Sequence, residues 1–189
     1  MYEKYTTDAL VLSEWEHGER DKVFTLYTRD FGLVRARASA VRTMHSKMRS
    51  ALVLFAVASV SLVRVTRGWR VAGARARKTE SLSATGAHTF ARIAQLLLRL
   101  VRGEESNNYV FETIHGARNL LGTGAGNVEM TELLCVARML YALGYISPQA
   151  LTAVLFTHAH YSHEDLLFVE KERMNMLSSV NVAIAESQL

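Results

Sequence analysis

The apolar residues of this chain keep two different periods, and a chain with two periods must build two kinds of layer. In the first 80 residues they fall in short β-branched and aromatic runs, Thr7 to Glu14, Lys22 to Arg29, Leu33 to Ala40, Leu52 to Val65 and Trp69 to Arg77, punctuated by Gly18, Gly32 and Gly68. From Gly86 onward the spacing changes. Phe90, Ile93, Ala94, Leu97, Leu98 and Val101 recur at three and four, with Arg92, Arg99 and Arg102 on the opposite side. The expected fold class is α+β, with a strand domain over 1–80 and an all-α domain over 81–189.

Five closely spaced strands in about 75 residues predict a small closed barrel, of which the five-stranded OB-fold is the common nucleic-acid-binding example. In the second half, further helices are expected at Asn108 to Leu121 and at Val128 to Leu143, with Gly122 and Gly144 as stop signals. The Val128 helix is apolar almost all round and should be the buried centre of its domain. After Pro148 a short segment follows. Ser162 with Asp165 then resembles a capping box, and Leu177, Val180 and Ile184 give the last helix its stripe.

Charge divides the chain at the same place. Residues 1–80 carry 15 basic and 8 acidic side chains, residues 81–189 carry 7 and 10, and residues 31–79 hold eleven Lys or Arg with no Asp or Glu. An ordinary solvated surface mixes both signs, so this one points to a polyanionic partner. Strand alternation puts Arg35 and Arg37 opposite Val34, Ala36 and Ala38, and Arg75 and Arg77 opposite Ala74 and Ala76. The loop Val41-Arg-Thr-Met-His-Ser-Lys-Met-Arg49 adds Arg42, Lys47 and Arg49. These seven are the expected phosphate contacts, with Arg64, Arg67, Arg70 and Lys78 as neighbours. Of Trp15, Tyr27, Phe31 and Trp69, the last, between Arg67 and Arg70, is the expected base-stacking platform.

Other chemistries find less support. Thr157-His-Ala-His-Tyr-Ser-His163 resembles the His-x-His-x-Asp-His motif of metallo-β-lactamase-fold hydrolases, so His158, His160 and His163 are weak candidate metal ligands. Ser162 stands where that motif has its aspartate, and no His or Cys follows His163. A metal-dependent hydrolase is therefore the alternative reading, and an adaptor acting through the helical half is another. Gly122-Thr-Gly-Ala-Gly126 has no strand before it and is a loop, and there is no Gly-x-Ser-x-Gly elbow. The single cysteine, Cys135, excludes an internal disulfide and fits a reducing cytoplasm. The apolar run Ser50 to Val63 is too short for a membrane span, which needs about 20 residues. No cofactor is expected, and a cytoplasmic location is.

The stretch Gly18-Glu-Arg-Asp-Lys-Val-Phe-Thr-Leu-Tyr-Thr-Arg-Asp-Phe-Gly-Leu-Val-Arg35 resembles the Gly-Glu-x-Asp segment, following strand and Phe-Gly turn of the RecO family of bacterial recombination mediators. Arg42, Ser46, Lys47, Arg49, Ala51, Leu52 and Phe55 fall where that family has its basic loop and next strand. Arg138-Met-Leu-Tyr-Ala-Leu-Gly-Tyr145 resembles its helix ending in Leu-Gly-Tyr, and Ala183-Ile-Ala-Glu-Ser-Gln-Leu189 its C-terminal helix. The resemblance implies a non-enzymatic protein with an OB-fold joined to a helical domain. It further implies binding of single- and double-stranded DNA, strand annealing, and work beside a RecR-like protein and single-strand-binding protein in loading the RecA recombinase. Two departures stand out. Ser39-Ala40 replaces the Lys-Gly of many members, removing one expected phosphate contact. The four-cysteine zinc module that many members carry after the Leu-Gly-Tyr helix is missing, since Pro148 to His163 holds no cysteine.

Overall fold

The computed structural model describes residues 3–66, 68–147 and 153–187. Arg67, the start of the segment after Pro148, and the last two positions of the terminal resemblance, through Leu189, lie outside the described residues. The chain divides into two compact units, Met1–Thr79 with Arg102–Asn108, and Glu80–Val101 with Tyr109–Leu189.

The first unit is a closed five-stranded barrel. Its strands are β1 (Lys4–His17), β2 (Asp21–Thr28), β3 (Gly32–Ala38), β4 (Val57–Val65) and β5 (Gly68–Ala76), in the order β1-β2-β3-β5-β4. All neighbours are antiparallel except β3 and β5. Together with the helices that follow, this is an OB-fold barrel plus a helical domain. Closure leaves no long unpaired edge. It depends on β1, whose first half pairs with β4 and whose second half pairs with β2, with a register shift between Val11 and Ser13 where the strand bends.

Alternation fills the interior. In β3, Val34, Ala36 and Ala38 are buried while Arg35 and Arg37 are exposed. Phe24, Leu26, Val60, Leu62, Trp69 and Val71 join them in one core, and the alanines leave room for the large rings in so narrow a barrel.

The fourth strand starts at Val57, not at Leu52 as expected. A continuous apolar run cannot by itself tell a strand from a buried turn. Here Leu52 N–H donates to Met48 O (3.0 Å), Phe55 N–H donates to Val11 O (2.8 Å), and Phe55 has a φ of 64°. Ala51, Leu52 and Val41 are buried in the barrel core, so the basic loop is anchored by an apolar plug. Gly32 is fixed twice over. Its φ is +63°, and a Cβ there would sit 2.2 Å from the Glu105 carbonyl oxygen.

The second unit contains α1 (Ala84–Leu100), α2 (Asn108–Thr123), α3 (Val128–Ala142), a 3-10 turn (Ala153–Phe156), α4 (His163–Lys171) and α5 (Arg173–Glu186). Ser83 caps α1 and Asn127 caps α3. The Ser162/Asp165 capping box opens α4. Helix α3 packs against α1, α4 and α5 and is buried on nearly every side. Its end explains the Leu-Gly-Tyr sequence. Gly144 adopts φ 82°, its N–H donates to Tyr141 O, and Tyr145 N–H donates to Leu140 O, the paired bonds of a Schellman stop.

Cys135 lies in this core, and burial pushes its thiol up to about 12. The buried stripe of α5 is Met176, Val180 and Ala183, which keeps Val180 of the three residues expected. Leu177 and Ile184 line an apolar groove with Leu96, Leu133 and Val136 instead. No described helix is long and apolar enough to cross a membrane.

Candidate nucleic-acid interface

The segment that is free of acids in sequence is not free of them in space. Arg37 pairs with Asp21 (2.6 Å), Arg42 with Glu16 (3.0 Å), Arg77 with Asp8 (2.8 Å) and Arg64 with Glu104. All four carboxylates come from outside residues 31–79. Three of the seven expected phosphate contacts, Arg37, Arg42 and Arg77, are therefore already bound to an acid. The other four, Arg35, Lys47, Arg49 and Arg75, are exposed and have no acidic partner among the described residues. Arg70 and Lys78 share that state.

Register shows which of these lie together. In the parallel β3–β5 pair Arg37 is the partner of Arg70, one strand across. Arg35 lies two residues back along β3, about 6.6 Å away by strand rise. Arg75 lies further along β5 opposite Ser59 of β4. Arg70 could not be grouped with Arg35 and Arg37 from sequence alone, because the pairing of β3 with β5 skips a strand. The expected row of Arg75 and Arg77 differs in detail. Strand β5 ends at Ala76, which is exposed, and Arg77 turns back to Asp8 through Nε (3.0 Å) and Nη2 (2.8 Å).

Arg42 is a staple more than a free cation. Its guanidinium donates to Gly18 O (3.1 Å) as well as to Glu16, and its backbone N–H donates to Arg20 O (3.0 Å). Asp21 works beside it. One carboxylate oxygen accepts from Ala40 N–H (2.8 Å) and the other from Arg37 Nε (2.8 Å). The Ala40 N–H, and then Arg37, hold this carboxyl below its ordinary value. These bonds tie the β1–β2 turn to the start of the basic loop, a physical reason for the Gly-Glu-x-Asp sequence. Ala40 pays a conformational penalty there, with φ 55° where a glycine would be unstrained.

Trp69 is not a stacking platform. It is 5% exposed and packs edge-on to Tyr5, with ring centroids 5.8 Å apart, and against Phe31 at 5.3 Å. The Arg64 guanidinium covers it at 4.7 Å. Neighbouring arginines suggested exposure, but its pleat position beside Val71 turns the ring inward. Tyr27 is also buried, and Trp15, 43% exposed, is the open ring among the four candidates.

The histidines do not converge on a metal. His158 and His160 stack face to face, with ring centroids 3.8 Å apart and planes 18° off parallel, and His163 begins α4. Among the described residues no group of three His, Cys, Asp or Glu could hold an ion. The segment is organised by a fully buried cation instead. Arg138 donates to Leu155 O (2.8 Å), His160 O (2.8 Å) and Asp165 Oδ2 (3.2 Å), and its Nη2 lies 3.4 Å from His158 Nδ1. A divalent ion at His158 would face that guanidinium.

Residues 1–69 match the family model described as Recombination protein O N terminal. The DNA repair protein RecO of Desulfitobacterium hafniense (strain DSM 10664 / DCB-2) is 40% identical over 58 residues, 31% of this chain and 21% of the relative. That of strain Y51 matches to the same extent. The matched region thus spans about a fifth of the length of these curated relatives. Through residues 1–69, its N-terminal barrel, this chain is similar to the N-terminal domain of the RecO family.

Proposed function

We propose that this chain is a non-enzymatic, cytoplasmic DNA-binding protein of recombinational repair. It binds single- and double-stranded DNA, anneals complementary strands, and acts with a RecR-like protein and single-strand-binding protein to help load the RecA recombinase. The observation that carries this reading is the set of exposed cations without acidic partners among the described residues on a RecO-type barrel, Arg35, Arg70 and Arg75 on the strands and Lys47 and Arg49 on the loop. Phosphates neutralised at such positions release counterions, and two strands held this way repel each other less. No bound group is needed for that chemistry. The test is an annealing assay with complementary oligonucleotides, comparing wild type with Lys47→Glu/Arg49→Glu. Strongly slowed annealing supports the reading, and an unchanged rate removes the loop from it.

A second reading has its own observation. The helical unit carries a groove of about 310 Å³ with an apolar floor of Leu96, Leu133, Val136 and Leu177. A groove of this kind suits an adaptor that holds another repair protein. Val136→Glu in the full chain then loses a partner protein in pull-down while annealing persists.

A further inference from the structure

The barrel has an opening that the arginine rows do not use. Beyond the core, the inward faces of the β1–β2 hairpin and the loop before β4 enclose a groove of about 500 Å³. Its floor is apolar, with Phe24 fully buried and Val53 and Leu54 left 52% and 45% exposed. Its wall carries Glu14 and Glu16. Glu14 pairs through Oε1 with Lys22 at 2.6 Å and Glu16 through Oε1 with Arg42 at 3.0 Å. Arg49, also on the lining, has no acidic partner among the described residues.

We propose that this groove holds one unstacked nucleobase of a DNA single strand, with the phosphate beside it on Arg49. This rests on the DNA-binding reading above and assigns it a base site. Three features fit that occupant together. A base has two apolar faces for Val53, Leu54 and the Phe24 floor, and such contacts are a common way single strands are held. One unpaired guanidinium at the rim matches one phosphate. The remaining Oε2 atoms of Glu14 and Glu16 are acceptors, and they match the exocyclic amine of cytosine or adenine. Thymine offers a single N–H between two carbonyl oxygens, which the carboxylates repel. A duplex keeps its bases stacked and paired, so it cannot enter. The site therefore sets strand preference and base preference, whereas the arginine rows take either kind of DNA.

The test is fluorescence anisotropy of the full chain with labelled single strands of dC, dA and dT and with a duplex of equal length. The expected result is dC and dA binding about three- to tenfold tighter than dT, in the range of a hydrogen bond to an amine edge. Val53→Asn, which adds polarity without charge, should lower single-strand affinity about tenfold, the scale of losing one base contact, and leave the duplex as it was. Retained duplex binding also reports that the variant is folded. Equal affinity for dC, dA and dT with no selective loss in Val53→Asn overturns the base site while leaving DNA binding intact. A wild type that binds neither single strand nor duplex overturns both.

Discussion

Gly32 separates conformational strain from steric conflict, because a second glycine provides the control. Gly32 and Gly18 have nearly the same φ, +63° and +66°. An alanine at either should cost about 1 to 2 kcal/mol for the left-handed conformation alone. At Gly18 the added methyl meets nothing within 4 Å. At Gly32 it would lie 2.2 Å from the Glu105 carbonyl oxygen and 2.6 Å from its carbon, both backbone atoms, so the 102–108 segment must move. That movement breaks the Leu33 N–H bond to Gly103 O (3.2 Å) and the Arg64–Glu104 pair. The hydrogen bond contributes about 1 kcal/mol and the exposed pair less. Gly32→Ala should therefore cost about 3 kcal/mol and Gly18→Ala only about 1 to 2 kcal/mol. Urea unfolding followed by tryptophan fluorescence reads the barrel, since both tryptophans lie in it. Equal losses for the two variants would refute the argument from the Glu105 contact.

Ala40→Gly should stabilise the barrel by about 0.5 to 1 kcal/mol in the same assay, because it relieves a positive φ. Arg138→Met should cost about 3 to 5 kcal/mol in urea unfolding followed by far-ultraviolet circular dichroism, since it leaves Asp165 buried without its cation. Arg138→Lys should recover only part of that, because one ammonium cannot reach all of the oxygens the fork serves. Asp21 has its folded pKa lowered, so it adds stability that is present above the unfolded value of about 3.9 and is lost as pH falls through the folded one. Asp21→Asn should then unfold more readily than wild type at neutral pH, with the gap closing in acid.

Local rules made much of the fold legible. The alternation Val34, Arg35, Ala36, Arg37, Ala38 needed only the pleat, and the stop at Gly144 needed only a residue free to take a positive φ. Features that depend on which segments meet were not legible. The partners of Arg37, Arg77 and Arg64 are Asp21, Asp8 and Glu104, separated from them by 16, 69 and 40 residues, and they are brought together by the β2–β3 pairing, by the β1–β4–β5 pairing and by the return of the 102–108 segment to the barrel unit. For Trp69, flanking charges say nothing of burial, because its own side of the strand decides. In the histidine segment, spacing says nothing of ring orientation, and His158 and His160 stack on each other. Its organiser, Arg138, left one signal, a lone arginine inside the apolar run Leu133 to Leu140 of α3.

On the proposed function, the barrel cations that lack an acidic partner among the described residues hold phosphates and the paired ones do not. Measuring single-strand affinity by anisotropy across a salt series, for wild type, Arg70→Ala and Arg77→Ala, tests it directly. Contacts from Arg35, Lys47, Arg49, Arg70, Arg75 and Lys78 predict a slope of log affinity against log salt of about −4 for wild type. Arg70→Ala should flatten it by about 0.7 while Arg77→Ala leaves it close to wild type. A wild-type slope near zero, or equal flattening in the two variants, would contradict the claim.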